Sequence, residues 1–179
     1  MEAGHGAFRF LNSQLQVQFP QQGPRSVTAM YILKKAWKHK MLSPLLKTFC
    51  WRLIRRAIAI GERAGKHSNK ISKLCTTCNN NENDAHLFFQ CTFERAVWFF
   101  ANPPLCSSDL PNEQDGVQES LGQLINQHTN DEQMMVILTT MWYIWKARNE
   151  RRFHNKSWTV WQVHHAVAAG IAANLHQAH

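Results

Sequence analysis

Cys75, Cys78, His86 and Cys91 lie within the stretch CTTCNNNENDAHLFFQC in the order C-x2-C-x7-H-x4-C. Three thiolates and one imidazole are donors that zinc takes in closed tetrahedral sites. Four protein ligands leave no position for a catalytic water. The C-x2-C pair makes a tight turn that aims two sulfurs at one point. The polar insert NNNENDA is free to loop out, and His86 and Cys91, five positions apart, return on the next turn of chain. The pattern predicts a structural zinc site on these four residues. The competing reading, ordinary buried cysteines and a surface histidine, suits single residues better than four at this spacing. His67 lies outside the C-x2-C frame and reads as a surface histidine. Cys50, between Phe49 and Trp51, reads as a small core residue, since no neighbour supplies a base; Cys106 reads as a further thiol or core residue.

The elements that position this knuckle read as helices. After a plausible N-cap at Ser26, Val27, Met30, Leu33, Ala36 and Trp37 recur at three and four, with Lys34, Lys35, Lys38 and Lys40 on the other side. Pro44 after Ser43 opens a second helix. Its apolar face is Leu46, Phe49, Cys50, Leu53, Ala57 and Ile58; its opposite face carries Arg52, Arg55, Arg56 and Arg63, and it terminates near Gly65. After Cys91 a short helix capped near Thr92 turns Phe93, Ala96, Val97 and Phe100 inward, and zinc would pin it onto the preceding helix. Val117, Leu121, Leu124, Ile125 and His128 suit a short amphipathic helix. Asp131 and Glu132 open a longer one with Met134, Leu138, Met141, Trp142 and Trp145. A last helix runs from about Ser157 to Leu175, carrying Val160, Val163, His164, Val167, Ile171 and Leu175. The Met, Trp and His residues of these C-terminal helices read as helix packing rather than a cofactor box. The expected fold is mainly α: a flexible tail or strand remnant over 1–25 (Leu15, Val17 and Phe19 alternate with glutamine), and a small helical domain over 26–101 clasped by a Cys3His knuckle. A Pro-rich linker over 102–116 and a C-terminal helical region over 117–179 follow.

With 179 residues, 44% of them apolar, and seven tryptophans, the chain has enough material for a core. No apolar run approaches the roughly 20 residues of a membrane span, and the N-terminal residues lack the pattern of a signal or transit peptide. Five cysteines, three of which join His86 in a zinc-like set of four, suit a reducing intracellular compartment, nuclear or cytoplasmic. The net charge of +8 is segregated: Lys34 to Lys73 holds twelve Lys and Arg and one acid, Glu62, whereas Glu82 to Glu132 holds nine acids and one base, Arg95. A basic stripe is a footprint for phosphate backbones. It makes Lys34, Lys35, Lys38, Lys47, Arg52, Arg55, Arg56 and Arg63 candidate nucleic-acid contacts, with a solvated helix surface as the alternative for the arginines. The same polarity suits the association of two halves or two molecules.

PLLKTFCWRLIRRAI, then CTTC, then AHLFFQC and Trp98, resembles the zinc-binding domain that follows the reverse transcriptase in plant LINE-type non-LTR retroelements. Lys47, Phe49, Trp51, Arg52, Leu53, Cys75, Cys78, His86, Leu87, Phe88, Cys91 and Trp98 occupy the matching positions, over about residues 26–101. WYIWKARNERRF, residues 142–153, resembles the Trp-x-Ile-Trp-Lys-x-Arg-Asn-x-x-x-Phe segment that often follows that domain. The resemblance implies a zinc-clasped helical accessory domain beside a polymerase, here expected to stand alone. No polymerase-like Tyr-x-Asp-Asp is present, and Glu150 is the sole acid after residue 133, so the carboxylates that hold catalytic metal ions are missing. The expectation is a protein that is not an enzyme and uses zinc structurally. Two functions are compatible with this: a nucleic-acid-binding accessory module for RNA or DNA, and a domesticated protein-interaction or homo-oligomeric module. The second extends to host-conflict settings such as a selfish toxin or antidote or an immune factor.

Overall fold

A computed structural model describes residues 26–67, 71–101, 104–107, 110, 116–127 and 130–177. The expected strand around Leu15 and Phe19 lies outside them. The described residues form α1 (Val27–Lys38), α2 (Pro44–Ile54), α3 (Gly61–His67), a π-helical turn (His86–Gln90), α4 (Thr92–Phe99), α5 (Gly116–Gln127), α6 (Asp131–His154) and α7 (Val160–Gln177). The architecture is mainly α, as the periodicity predicts; the described β-structure is one bridge, Leu74 to Asn81.

The middle of the bundle is α6, about 36 Å long at 1.5 Å per residue. Asn130 caps it by accepting from the Glu132 backbone N–H at 2.9 Å, and Asn155 ends it in the left-handed region at φ 53°. Met134, Leu138, Met141, Ile144 and Trp145 are buried along it. It packs against α2, the π turn and α7, while α5 packs on α1. That last contact is close: a Cβ on Gly122 would stand 2.4 Å from Thr28 Cγ2. One hydrophobic core thus takes residues from Ala29 on α1 to Val167 on α7. Phe49 of α2 is its aromatic hub, with ring centroids 6.2 Å from Phe88, 5.3 Å from Trp142 and 6.1 Å from Trp145.

Ser26 sits at the N-cap of α1, but its side chain makes no capping bond. Ser43 does cap α2, accepting from the Leu46 N–H at 3.5 Å, with Pro44 at the first position. The second helix is shorter than its pattern predicts and stops at Ile54. There the Ala57 N–H donates to Arg52 O (2.8 Å), the Arg56 N–H donates to Leu53 O (3.0 Å), and Arg56 is left-handed at φ 53°. This is a Schellman ending with arginine in the usual glycine position, at a cost of about 1–2 kcal/mol. The chain turns because Ile58 and Ile60 beyond it are fully buried. As a correction to the expected single helix, Arg52, Arg55, Arg56 and Arg63 share no helix face: Arg63 stands on the separate helix α3.

Candidate metal centre

The two cysteines of the C-x2-C turn are set by backbone geometry. The Asn79 N–H donates to Cys75 O at 3.0 Å with Asn79 left-handed at φ 63°, and the Cys75 N–H donates to Asn80 O at 2.7 Å. The Thr77 N–H points at Cys75 Sγ, 3.4 Å away, which suits a thiolate acceptor. His86 and Cys91 come from the π turn, where the Cys91 N–H donates to His86 O at 3.1 Å. On a regular helix of 3.6 residues per turn, residues five apart diverge by about 140°. The wider i to i+5 winding brings them back to one side. Asn83 Oδ1 accepts from the His86 N–H at 2.7 Å and starts the turn. Its far end is tied down by Trp98 Nε1 donating to Phe88 O (2.6 Å) and Ser107 Oγ donating to Phe89 O (2.7 Å).

The four ligand atoms all lie within 4.8 Å of one another. Sulfur separations are 3.8 Å for Cys75–Cys91 and 3.7 Å for Cys78–Cys91, and Cys78 Sγ lies 3.2 Å from His86 Nε2. A tetrahedral ion with Zn–S of about 2.3 Å requires S···S edges of about 3.8 Å. The donor set and its spacing therefore fit a structural zinc ion. The contacts among the ligands push their proton affinities in opposite directions. A hydrogen bond from Cys91 pulls Cys75 far below the usual thiol range, while the same bond, with burial, pushes Cys91 up; His86 is raised, chiefly by its hydrogen bond to Cys75. Burial lifts the neighbouring Glu94 carboxyl to about 7.

Only Asn79 to Asn81 of the insert between the ligands are exposed; from Glu82 onward it turns inward, contrary to the expectation from its polarity. Glu82 is 0% and Asp84 1% exposed. Glu82 closes a small hairpin, its N–H donating to Lys73 O at 2.9 Å, and its Oε1 accepts from the Gly61 N–H at 2.6 Å. A Cβ on residue 61 would lie 2.8 Å from Lys73 O, so glycine alone fits there. Two arginines of α6 neutralise Glu82: Arg148 through Nη2 and through Nε at 3.2 Å, and Arg152 through Nη2 at 3.3 Å. Arg152 also donates to Ser72 O and Leu74 O, each at 2.6 Å, and Arg151 donates to Thr77 Oγ1 inside the C-x2-C turn. Glu82, Arg148 and Arg152 are the site residues that sequence reasoning missed. The available signal was the K-A-R-N-E-R-R segment, which carries these cations on a helix otherwise lined with core residues.

The candidate nucleic-acid residues divide. Lys34 and Lys38 of α1 are exposed; Lys35 is half-buried, its Nζ donating to Ile125 O at 3.4 Å, and Lys47 and Arg55 are half-buried. Arg52 folds back on Ala57 O at 3.5 Å. Arg56 lies 3.7 Å from Asp84, and Arg63 grips Asp84 Oδ1 at 2.7 Å and Ile58 O at 2.7 Å.

Residues 13–98 match the family model described as zinc-binding in reverse transcriptase. This segment is similar to the zinc-binding domain of reverse transcriptases. No curated protein and no solved structure matches the chain. All four candidate zinc ligands fall inside the matched segment, and so does Glu82; the arginines that neutralise Glu82 lie fifty and more residues beyond its end. Among the described residues no helix is long and apolar enough to cross a membrane.

Proposed function

We propose that this protein is a non-catalytic, retroelement-derived module in which a closed zinc site shapes a helical scaffold for binding nucleic acid. A site with four protein ligands has no open position for substrate or water, which supports a structural role for the metal. One observation carries the binding reading: the acids of the zinc-binding half are turned inward. Glu82, Asp84 and Glu94 are buried, and Glu62 is bonded to Lys66 at 3.2 Å, whereas Lys34, Lys38, Lys40 and Lys73 are exposed. Glu82 and Asp84 are matched by their own arginines, so these exposed lysines stay free of acidic partners among the described residues and offer the positive charge that a phosphate-binding face requires. An anisotropy titration of the zinc-loaded chain with labelled RNA and DNA should give an affinity that falls steeply with salt. An affinity indifferent to salt, or none, overturns the reading.

A separate observation favours a second reading, association through α7. Trp161, His165, Ala168, Ala172 and Leu175 are all exposed and recur at four-three-four-three, on a helix with no Asp, Glu, Lys or Arg. That spacing is the seam of a helix pair. Light scattering distinguishes the two: a defined oligomer that Trp161→Glu converts to a monomer supports it, and a strict monomer removes it.

A further inference from the structure

We propose that the groove between α1 and α2 is a site for unpaired nucleic acid, whose bases stack on Trp37, Trp51 and Tyr31 while Lys34 and Lys38 take the phosphates. This rests on the nucleic-acid reading above and narrows it to one place and one form of ligand.

The groove has a volume of about 780 Å³ and is lined by Val27, Met30, Tyr31, Lys34 and Trp37 of α1 and by Trp51 of α2. That is the size range of sites for small organic groups. Its rings are open to solvent: Trp37 is 54%, Tyr31 42% and Trp51 37% exposed, in a protein that buries Trp98 and Trp145 in its core. Lys34 stands one helical turn from both Tyr31 and Trp37, so an ammonium group alternates with flat rings along one face of α1. The Lys35 ammonium lies 5.9 Å from the Tyr31 ring centre, a cation–π contact that orients the ring.

Charge decides between occupants. Neither α1 nor α2 contains an Asp or Glu, while together they carry Lys34, Lys35, Lys38, Lys47 and Arg52. A second copy presenting this same face would bring the same cations against it and be repelled. A polyanion is attracted, and aromatic faces beside cations are what single strands use, because every unpaired base offers a ring face. A duplex keeps those faces stacked inside and presents only edges, so the exposed rings would gain nothing from it.

The test uses the full, zinc-loaded chain with a labelled twelve-nucleotide single-stranded RNA, the DNA of the same sequence and the corresponding DNA duplex. Tighter binding of the single strands than of the duplex is expected, and the RNA and DNA arms tell which sugar is preferred. Trp37→Ala or Trp51→Ala should weaken single-strand binding about five- to a hundredfold, while Trp37→Phe retains most of it. Lys34→Ala should reduce the slope of log K against log salt by about 0.7. Zinc content and far-UV circular dichroism identify any variant that has lost its fold, and Trp37→Phe supplies the folded comparison. Equal binding of duplex and single strand with the Trp variants silent overturns this site but leaves the nucleic-acid reading standing. Loss of salt-sensitive binding to every probe overturns that reading as well. A mass that falls on Trp37→Ala makes the groove an interface between copies and overturns the proposal.

Discussion

Cys78 is half-buried while the other three ligands are buried, which makes its sulfur the accessible edge of the zinc site. Replacing it with serine leaves three ligands and a hydroxyl that does not ionise near neutral pH. Cys78→Ser should therefore lose zinc and melt at lower temperature, read by metal analysis and thermal circular dichroism; a variant that stays folded and zinc-loaded would refute the ligand assignment. Thiol chemistry tests the same site without mutation. Burial pushes the Cys50 thiol up to about 12, so at neutral pH it carries almost no thiolate, the reactive form. Cys106 is exposed. With zinc bound, a thiol reagent should label Cys106 quickly; a chelator should release three more thiols, and Cys50 should react only on unfolding. Rapid labelling of all five in the holo protein would contradict the closed site.

Between elements, the strongest joint is the buried contact of Glu82 with Arg148 and Arg152, because it ties the zinc hairpin to the far end of α6. Removing one member of a buried ion pair leaves its partner uncompensated and costs about 3–5 kcal/mol. Arg148→Met should therefore lower stability by that order and speed zinc transfer to a chromogenic chelator. The pair Arg148→Met with Glu82→Leu should recover part of both, since neither charge is then stranded. If Arg148→Met alone leaves zinc release unchanged, α6 does not support the metal site. This joint also marks the limit of what the sequence disclosed. Ligand spacing and the three-four recurrence of Leu and Trp are local patterns, and they made the knuckle and the helices legible. The partners of Glu82 stand 66 and 70 positions away, so a polar insert looked like free loop. The stop at Ile54 was hidden for a related reason: it depends on Ile58 and Ile60 finding the core, not on any glycine or proline at the break. The π winding leaves no composition signal; five positions between His86 and Cys91 is its only trace.

Across the whole molecule, α7 closes the bundle against α4 and α6, and His164 on its inner side gives that closure a pH dependence. Its Nε2 atom is buried, and burial lowers its pKa below the usual 6.5, outweighing the opposing pull of the Val97 backbone. The folded state favours the neutral ring, so the stability linked to it is complete above about 6.5 and is lost as pH falls toward the lower folded value. Unfolding titrations should show wild type losing more stability between pH 7 and 5.5 than His164→Phe does. Identical slopes would remove His164 as the cause, because acid release of zinc is common to both proteins. The Glu82 joint has a further consequence for anyone who would transplant this metal site. A cassette cut at the ends of the ligand motif carries a carboxylate shaped for burial but leaves its counter-charges behind. A workable graft must therefore either bring the Arg148–Arg152 turn of α6 along as a second, discontinuous piece, or rewrite Glu82 as an apolar residue and rebuild the backbone contact it makes to Gly61.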